Sequence, residues 1–281
     1  MSLTNTKQFL KRLDINVAYA CNLRCRGCIS LSDFDRRGVV TNHEIDDWLE
    51  YWSTGLDVET ITLFGGEPLI NPELVEICKT IRQYYPASTI RLITNGYLLS
   101  NFDPQVWFEF EPFEIQVSIH RLDHVAHINQ QLQKILSARS GWKTSIDNLN
   151  AHQQILFELP GLKIYKSKFK DFVAPYQLKN QQLLPFNSDP VKAHGICGSP
   201  NTPVLYKGKL YKCPPVANII DITNKNWNNY NACSDLNTLS VFVAHVGVPE
   251  LVCSQCPERP EQHSYDHFDP DNVYVKQKNI S

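Results

Sequence analysis

CNLRCRGC, residues 21–28, gathers Cys21, Cys25 and Cys28 within eight positions, with no fourth metal ligand beside them. Four thiolates saturate a structural zinc or a cubane iron–sulfur cluster. Three leave one iron of a cubane with an open position, which is useful only if another molecule binds there. The stretch before it, LDINVAYA (13–20), places Leu13, Ile15, Val17 and Tyr19 on one side and reads as a strand running into the loop. A thiol triad that closes a first strand directs attention to the ends of the strands that follow.

Those strands alternate with helices. TNHEIDDWLEYWSTG (41–55) puts Ile45, Trp48, Leu49 and Trp52 on one helical face, with Thr41 and Glu44 as a capping box and Gly55 as the stop. ETITLFGG (59–66) is the next strand, and Asn71-Pro72 opens a helix whose Leu74, Ile77, Cys78 and Ile81 share a face. TIRLITNG (89–96) and EIQVSIH (114–120) are strands, with a short helix from Asp103-Pro104 between them. Helix is expected over 123–158, broken near Ser140-Gly141, and a fifth strand over GLKIYKSKF (161–169).

Such repeats imply an α/β fold, a partial (β/α)6 TIM-like barrel with a parallel sheet and helices outside. Chemistry then sits at the carboxyl ends of the strands, where CNLRCRGC, GGEP, TNG and SIH all fall. After residue 185 Pro, Asn, Gly and Cys become frequent and the alternation fades. The expected division is a core over 1–185 and a small α+β module over 186–281, with a hairpin over 203–213 turning at Lys207-Gly208 and a charged tail beyond 259.

The totals exclude several classes. In 281 residues, 42% hydrophobic and 20% charged side chains fit a soluble globular protein, and a formal net charge of -2 points to neither nucleic acid nor membrane. No apolar run is long enough to span a bilayer, and the N-terminus has no apolar signal region. An odd set of nine cysteines argues against a disulfide framework and for metal in a reducing cytoplasm.

Cys21, Cys25 and Cys28, followed by GGEP (65–68), TNG (94–96) and VSIH (117–120), resemble the radical S-adenosylmethionine (SAM) superfamily over about residues 13 to 120. The resemblance implies a 4Fe–4S cluster on the three cysteines whose open iron is chelated by SAM. It also implies reductive cleavage of SAM to a 5′-deoxyadenosyl radical that takes a hydrogen atom from substrate, and an electron donor of the flavodoxin or ferredoxin type. It places Gly65, Gly66 and Glu67 at the SAM amino group and Ser118 near its carboxylate. Thr94, Asn95 and His120 then face the adenosine or the substrate. One position departs from the family: the residue before the third cysteine is usually aromatic and lies against adenine, whereas here it is Gly27. On the residues alone, a zinc knuckle completed by a distant His remains open. His120 reads equally as a satisfied core residue, His124 and His127 as a solvated helix face, and Cys78 as core.

Cys197 and Cys213 flank the hairpin, and Cys253-x2-Cys256 follows. The layout resembles the twitch module, a shortened SPASM domain, which implies a second, auxiliary 4Fe–4S cluster on Cys197, Cys213, Cys253 and Cys256. A structural zinc on the same thiols is the rival, with Cys233 as a spare. A fully ligated auxiliary centre suits electron transfer, so the expected reaction is oxidative: dehydrogenation or bond-forming cyclisation of a small biosynthetic intermediate or short peptide. Two alternatives stand beside it, a radical epimerase using Cys233 or another thiol as hydrogen donor and a zinc-stabilised, non-enzymatic interaction protein. In KIYKSKFK (163–170), Lys166, Lys168 and Lys170 share one side of a strand and are read as either a solvated face or an anion site.

Overall fold

The computed structural model describes residues 6–263 apart from 26, 121, 148–153, 169–171, 180–181 and 260–261. The charged tail expected beyond 259 therefore lies almost wholly outside the described residues.

Leu13, Ile15 and Val17 lie at alternate positions of the first strand, β1 (Gln8–Ala18), and all three are fully buried. Their neighbours in the sheet repeat the pattern: Ile61 and Leu63 in β2 (Leu56–Gly65), Ile90 and Leu92 in β3 (Thr89–Thr94), and Ile115 and Val117 in β4 (Phe113–Ile119). This apolar face is covered by α1 (Asn42–Trp52), α2 (Leu74–Tyr84) and α3 (Val125–Ala138), which pack Ile45, Leu49, Trp52, Ile77, Cys78, Ile81, Ile128 and Leu132 into the same core. Each such aliphatic side chain contributes about 1.5–3 kcal/mol by leaving water. The capping box opens α1 as expected, with the Thr41 side chain on the Glu44 N–H and the Glu44 side chain on the Thr41 N–H. Because side chains alternate across a strand, Arg12, Asp14 and Asn16 fall on the other, polar face.

The central sheet has nine strands in the order β12-β11-β1-β2-β3-β4-β7-β6-β5. β7 is Leu162–Lys168, and β11 (Val204–Tyr206) and β12 (Lys209–Tyr211) form the expected hairpin. β11, β1, β2, β3, β4 and β7 run parallel. The expected sixfold βα repeat ends sooner. Residues 142–158, expected as helix, carry β5 (Lys143–Asp147) and β6 (Gln154–Leu159), antiparallel strands that cover the far edge of β7. A short apolar run such as ILFEL is compatible with either period, and the open edge of β7 decides it. The sixth parallel strand, β11, comes from the segment after 185 and pairs with β1 at the opposite edge.

Shorter elements complete the chain. Phe172–Val173 (β8), Gln177–Lys179 (β9) and Gln182–Leu184 (β10) precede α4 (Pro190–Gly195). α5 (Pro214–Thr223), α6 (Leu236–His245) and Gln262–His263 (β13) follow the hairpin. Among the described residues no helix is long and apolar enough to cross a membrane.

Candidate active site

The ends of β1 and β2 are stitched together. The Gly66 N–H donates to Ala18 O at 2.7 Å, the Glu67 N–H to Ala20 O at 2.9 Å, and the Ser30 hydroxyl to Gly65 O at 2.6 Å. A Cβ on Gly65 would lie 2.2 Å from Ala18 O, and one on Gly66 2.1 Å from Ala20 O. Gly65 also has φ +139, where only glycine is unstrained. The two glycines thus let the GGEP turn lie against the backbone that leads into the cysteine loop. Gly66→Ala is expected to lower the stability of the iron-free protein by at least about 2 kcal/mol in urea denaturation, because backbone rather than a movable side chain blocks the new methyl.

Glu67 joins the next loop. Oε1 accepts from the Leu69 N–H (3.0 Å) and the Thr94 hydroxyl (2.7 Å), and Oε2 from the Asn95 N–H (2.8 Å). Burial raises its pKa to about 7 against these hydrogen bonds, which lower it. Oε2 keeps acceptor capacity beyond the Asn95 bond. Asn95 reaches the cysteine loop, its Nδ2 donating to Asn22 Oδ1 at 2.7 Å. Thr94, read as a substrate candidate, spends its hydroxyl hydrogen on Glu67 and so acts as a brace.

These loops enclose a cavity of about 300 Å³ lined by Cys21, Cys25, Cys28, Gly65, Gly66, Glu67, Thr94, Asn95, Ser118 and His120. Its floor is the polar face of the sheet, with Arg12, Asp14 and Gln116. Arg12 Nε donates to Asp14 Oδ1 at 2.7 Å. Burial, with a smaller push from His124, lowers the His120 pKa to about 4, so the ring is neutral at pH 7. His124 itself is buried and packs edge-on against Tyr97 at 4.6 Å, not on a solvated face. Gly27 has φ +76, a left-handed conformation in which an aromatic residue would be strained, and its N–H donates to the Tyr176 hydroxyl at 3.3 Å. The glycine at this position thus suits its backbone conformation, whereas an aromatic residue would be strained there.

Cys197, Cys213, Cys253 and Cys256 line a second cavity of about 340 Å³. Cys213 caps α5, Cys253 lies in the 3-10 turn Leu251–Gln255, and Cys256 follows it. Burial pushes the Cys213 thiol up to about 12 and raises those of Cys253 and Cys256, as it does those of Cys21 and Cys28. Thiolates at these buried positions would need a bound cation to offset their burial, which the iron of a cluster would supply. Among the described residues no group of three or more His, Cys, Asp or Glu side chains is placed to hold a single metal ion. A cubane distributes its irons over several corners, so thiols spread along a cavity wall fit it better.

Other expected residues fall elsewhere. Cys233 lines neither thiol cavity: it is buried beside α6, its Sγ 3.4 Å from Thr238 Oγ1. Lys166 is in register with Val117, on the helix side of the sheet, and its Nζ donates to Asn129 of α3 at 2.9 Å. It does not line the cavity, so the anion-site reading fails there. Lys168 is placed only as the last residue of β7, and Lys170 lies outside the described residues.

Arg12, Asp14, Gln116, Ser30, Asn22, Tyr176 and Arg36 were not singled out from sequence. Arg36 ties the segment after the thiol triad to α5 and β11. It donates to Ser30 O (3.2 Å), Asp221 Oδ2 (2.9 Å), Asn218 Oδ1 and the Tyr206 hydroxyl, and its guanidinium lies 5.0 Å from the Tyr19 ring centre. No local pattern marks Asn22, Ser30, Arg36 and Tyr176, since their partners lie far away in the chain, while Arg12 and Asp14, partners two residues apart, read as the solvent face of a strand.

A parallel sheet with a thiol triad at one rim, braced by a buried glutamate, defines an α/β protein built to hold a cluster and a small ligand. Residues 15–155 match the family model of the radical SAM superfamily, and the chain belongs to that superfamily. A GTP 3′,8-cyclase of Microcystis aeruginosa is 30% identical over 152 residues, covering 52% of this chain and 44% of that protein. The corresponding protein of Aquifex aeolicus is 34% identical over 103 residues, covering 35% and 32%. The chain thus spans less than half the length of these curated relatives. The crystal structure of BtrN in complex with AdoMet and 2-DOIA superposes with a TM-score of 0.52 at 16% identity, covering 92% of this chain and 98% of that one, a likeness of fold.

Proposed function

We propose that this radical SAM enzyme oxidises a small molecule or short peptide by dehydrogenation or bond-forming cyclisation, using a second, auxiliary 4Fe–4S cluster on Cys197, Cys213, Cys253 and Cys256. The observation that carries the reading is the convergence of these four cysteines, drawn from three separate segments, on one cavity next to that of Cys21, Cys25 and Cys28. The first cluster, when bound, supplies the electron that opens SAM to the 5′-deoxyadenosyl radical. Gly65 and Gly66 set the GGEP turn against the β1 backbone beside the rim, Glu67 offers its remaining lone pair to the amino group, and Ser118 faces the carboxylate. Cys197, Cys213, Cys253 and Cys256 would hold the auxiliary cluster, which would supply an acceptor for the second electron of a two-electron oxidation, the first leaving with a hydrogen atom and a proton being released to balance the second. His120, neutral in the cavity wall, orients the reactants. The residues after position 185 supply both the auxiliary thiols and the β11 edge of the central sheet, and the electron donor is a flavodoxin or ferredoxin in the cytoplasm.

Anaerobic reconstitution tests the reading. About eight irons per chain and a brown protein are expected, and Cys213→Ala/Cys253→Ala should retain about four. That variant should still form 5′-deoxyadenosine while losing oxidised product. A colourless, zinc-loaded protein would overturn the proposal. Since Cys233 lines neither thiol cavity, Cys233→Ala should leave both activities in place.

A further inference from the structure

Ile29, Gly198 and Ser199 line both thiol cavities, and Pro214, next to Cys213, lines the first. The segment after Cys197 is thus a thin partition with a cluster site on each side. The Ser199 N–H donates to Cys197 Sγ at 3.4 Å, which ties the partition to one of the four thiols. A Cβ built on Gly198 meets nothing within 4 Å, so the partition has open space on the side where that side chain would project. The rest of the first cavity is made by the strand ends and by the floor residues Arg12, Asp14 and Gln116.

We infer that Gly198 and Ser199 are ligand-contacting residues of the first cavity. The C-terminal segment then supplies the wall against which SAM and substrate are seated, and that wall determines which substrates fit. The inference rests on the reading of the first cavity as the SAM site. It gives the segment a role beyond holding four thiols: a ligand pressed against Ser199 lies within one residue layer of the auxiliary site. With an auxiliary cluster on Cys197, the Ser199 N–H would donate to one of its ligating sulfurs, and such a bond would tune the potential of that centre.

The test uses reconstituted holoenzyme with SAM as the probe. Ser199→Cys places a thiol in the partition; iodoacetamide should alkylate it, followed by peptide mass spectrometry, and saturating SAM should slow the alkylation several-fold. Gly198→Trp has room for its side chain and should keep the iron content, with a Tm within about 2 °C of the parent. Its affinity for SAM, by equilibrium dialysis, should fall at least about tenfold, because the ring competes for the cavity. Gly198→Ala should bind SAM like the parent. Alkylation indifferent to SAM, together with unchanged SAM affinity in Gly198→Trp, would overturn the inference while leaving the enzyme class intact. Failure of the parent itself to bind SAM would remove both. If Gly198→Trp does not fold, the Ser199→Cys protection result decides alone.

Discussion

Cys28→Ala is expected to abolish 5′-deoxyadenosine formation. Losing a partner that merely orients a metal ligand already costs 10–100-fold in affinity or activity, so losing one of three thiols should cost more than about 100-fold. Iron should fall from about eight per chain to about four, because the second thiol cavity draws on none of these residues. The loss is chemical and not a failure to fold. Cys28 is only half-buried, and its loop is held by backbone bonds that alanine keeps, Cys28 N–H to Cys25 O at 3.1 Å and Leu31 N–H to Cys28 O at 2.9 Å. The iron-free variant should therefore melt with the iron-free parent. Product-forming activity in the variant above a hundredth of the parent's would show that Cys28 is not a cluster ligand.

Arg36→Ala should produce the largest loss of stability among single polar substitutions where the segment after the thiol triad meets α5. Only 6% of the Arg36 side chain is exposed, and its guanidinium is the shared donor for Asp221, Asn218, the Tyr206 hydroxyl and the Ser30 carbonyl. Removing one member of a buried ion pair typically costs about 3–5 kcal/mol, because the remaining charge is left in a poorly solvated place. Asp221 also pairs with Lys207, which softens the effect and sets the lower end of that range as the expectation. The functional consequence follows from position. Arg36 holds the end of the cysteine loop against α5, the helix that Cys213 caps. Arg36→Lys keeps the charge but not the fork and should recover part of the stability. A double-mutant cycle with Asp221→Asn, read by urea denaturation, measures the coupling; additive losses would show that the pair does not interact.

Much of the rim was legible in the sequence because its residues are contiguous. Each motif directly follows a strand whose period-two pattern is visible, so LDINVAYA places CNLRCRGC, and ETITLFGG places GGEP, without any tertiary information. Cys197, Cys213, Cys253 and Cys256 could be grouped by spacing. The polar floor was harder to find, since Arg12 and Asp14 read as the solvent side of a half-buried strand. For Lys166, a strand's alternation left open which face looks into the cavity, because it tells which residues share a face but not which face that is.

The chain itself determined the alternating strands and helices, the thiol triad and the glycines without which the β1 and β2 ends could not meet, all consequences of local sterics and hydrophobic period. Three-dimensional packing decided that Lys143–Asp147 and Gln154–Leu159 pair as antiparallel strands, that β11 returns to β1, that Tyr176 bonds to Gly27, and that Gly198 and Ser199 divide two thiol cavities. Those outcomes turn on open sheet edges and on hydrogen bonds between residues far apart in the chain. A local period carries no record of either, because the pairing energy exists only once the partner strand is already in place.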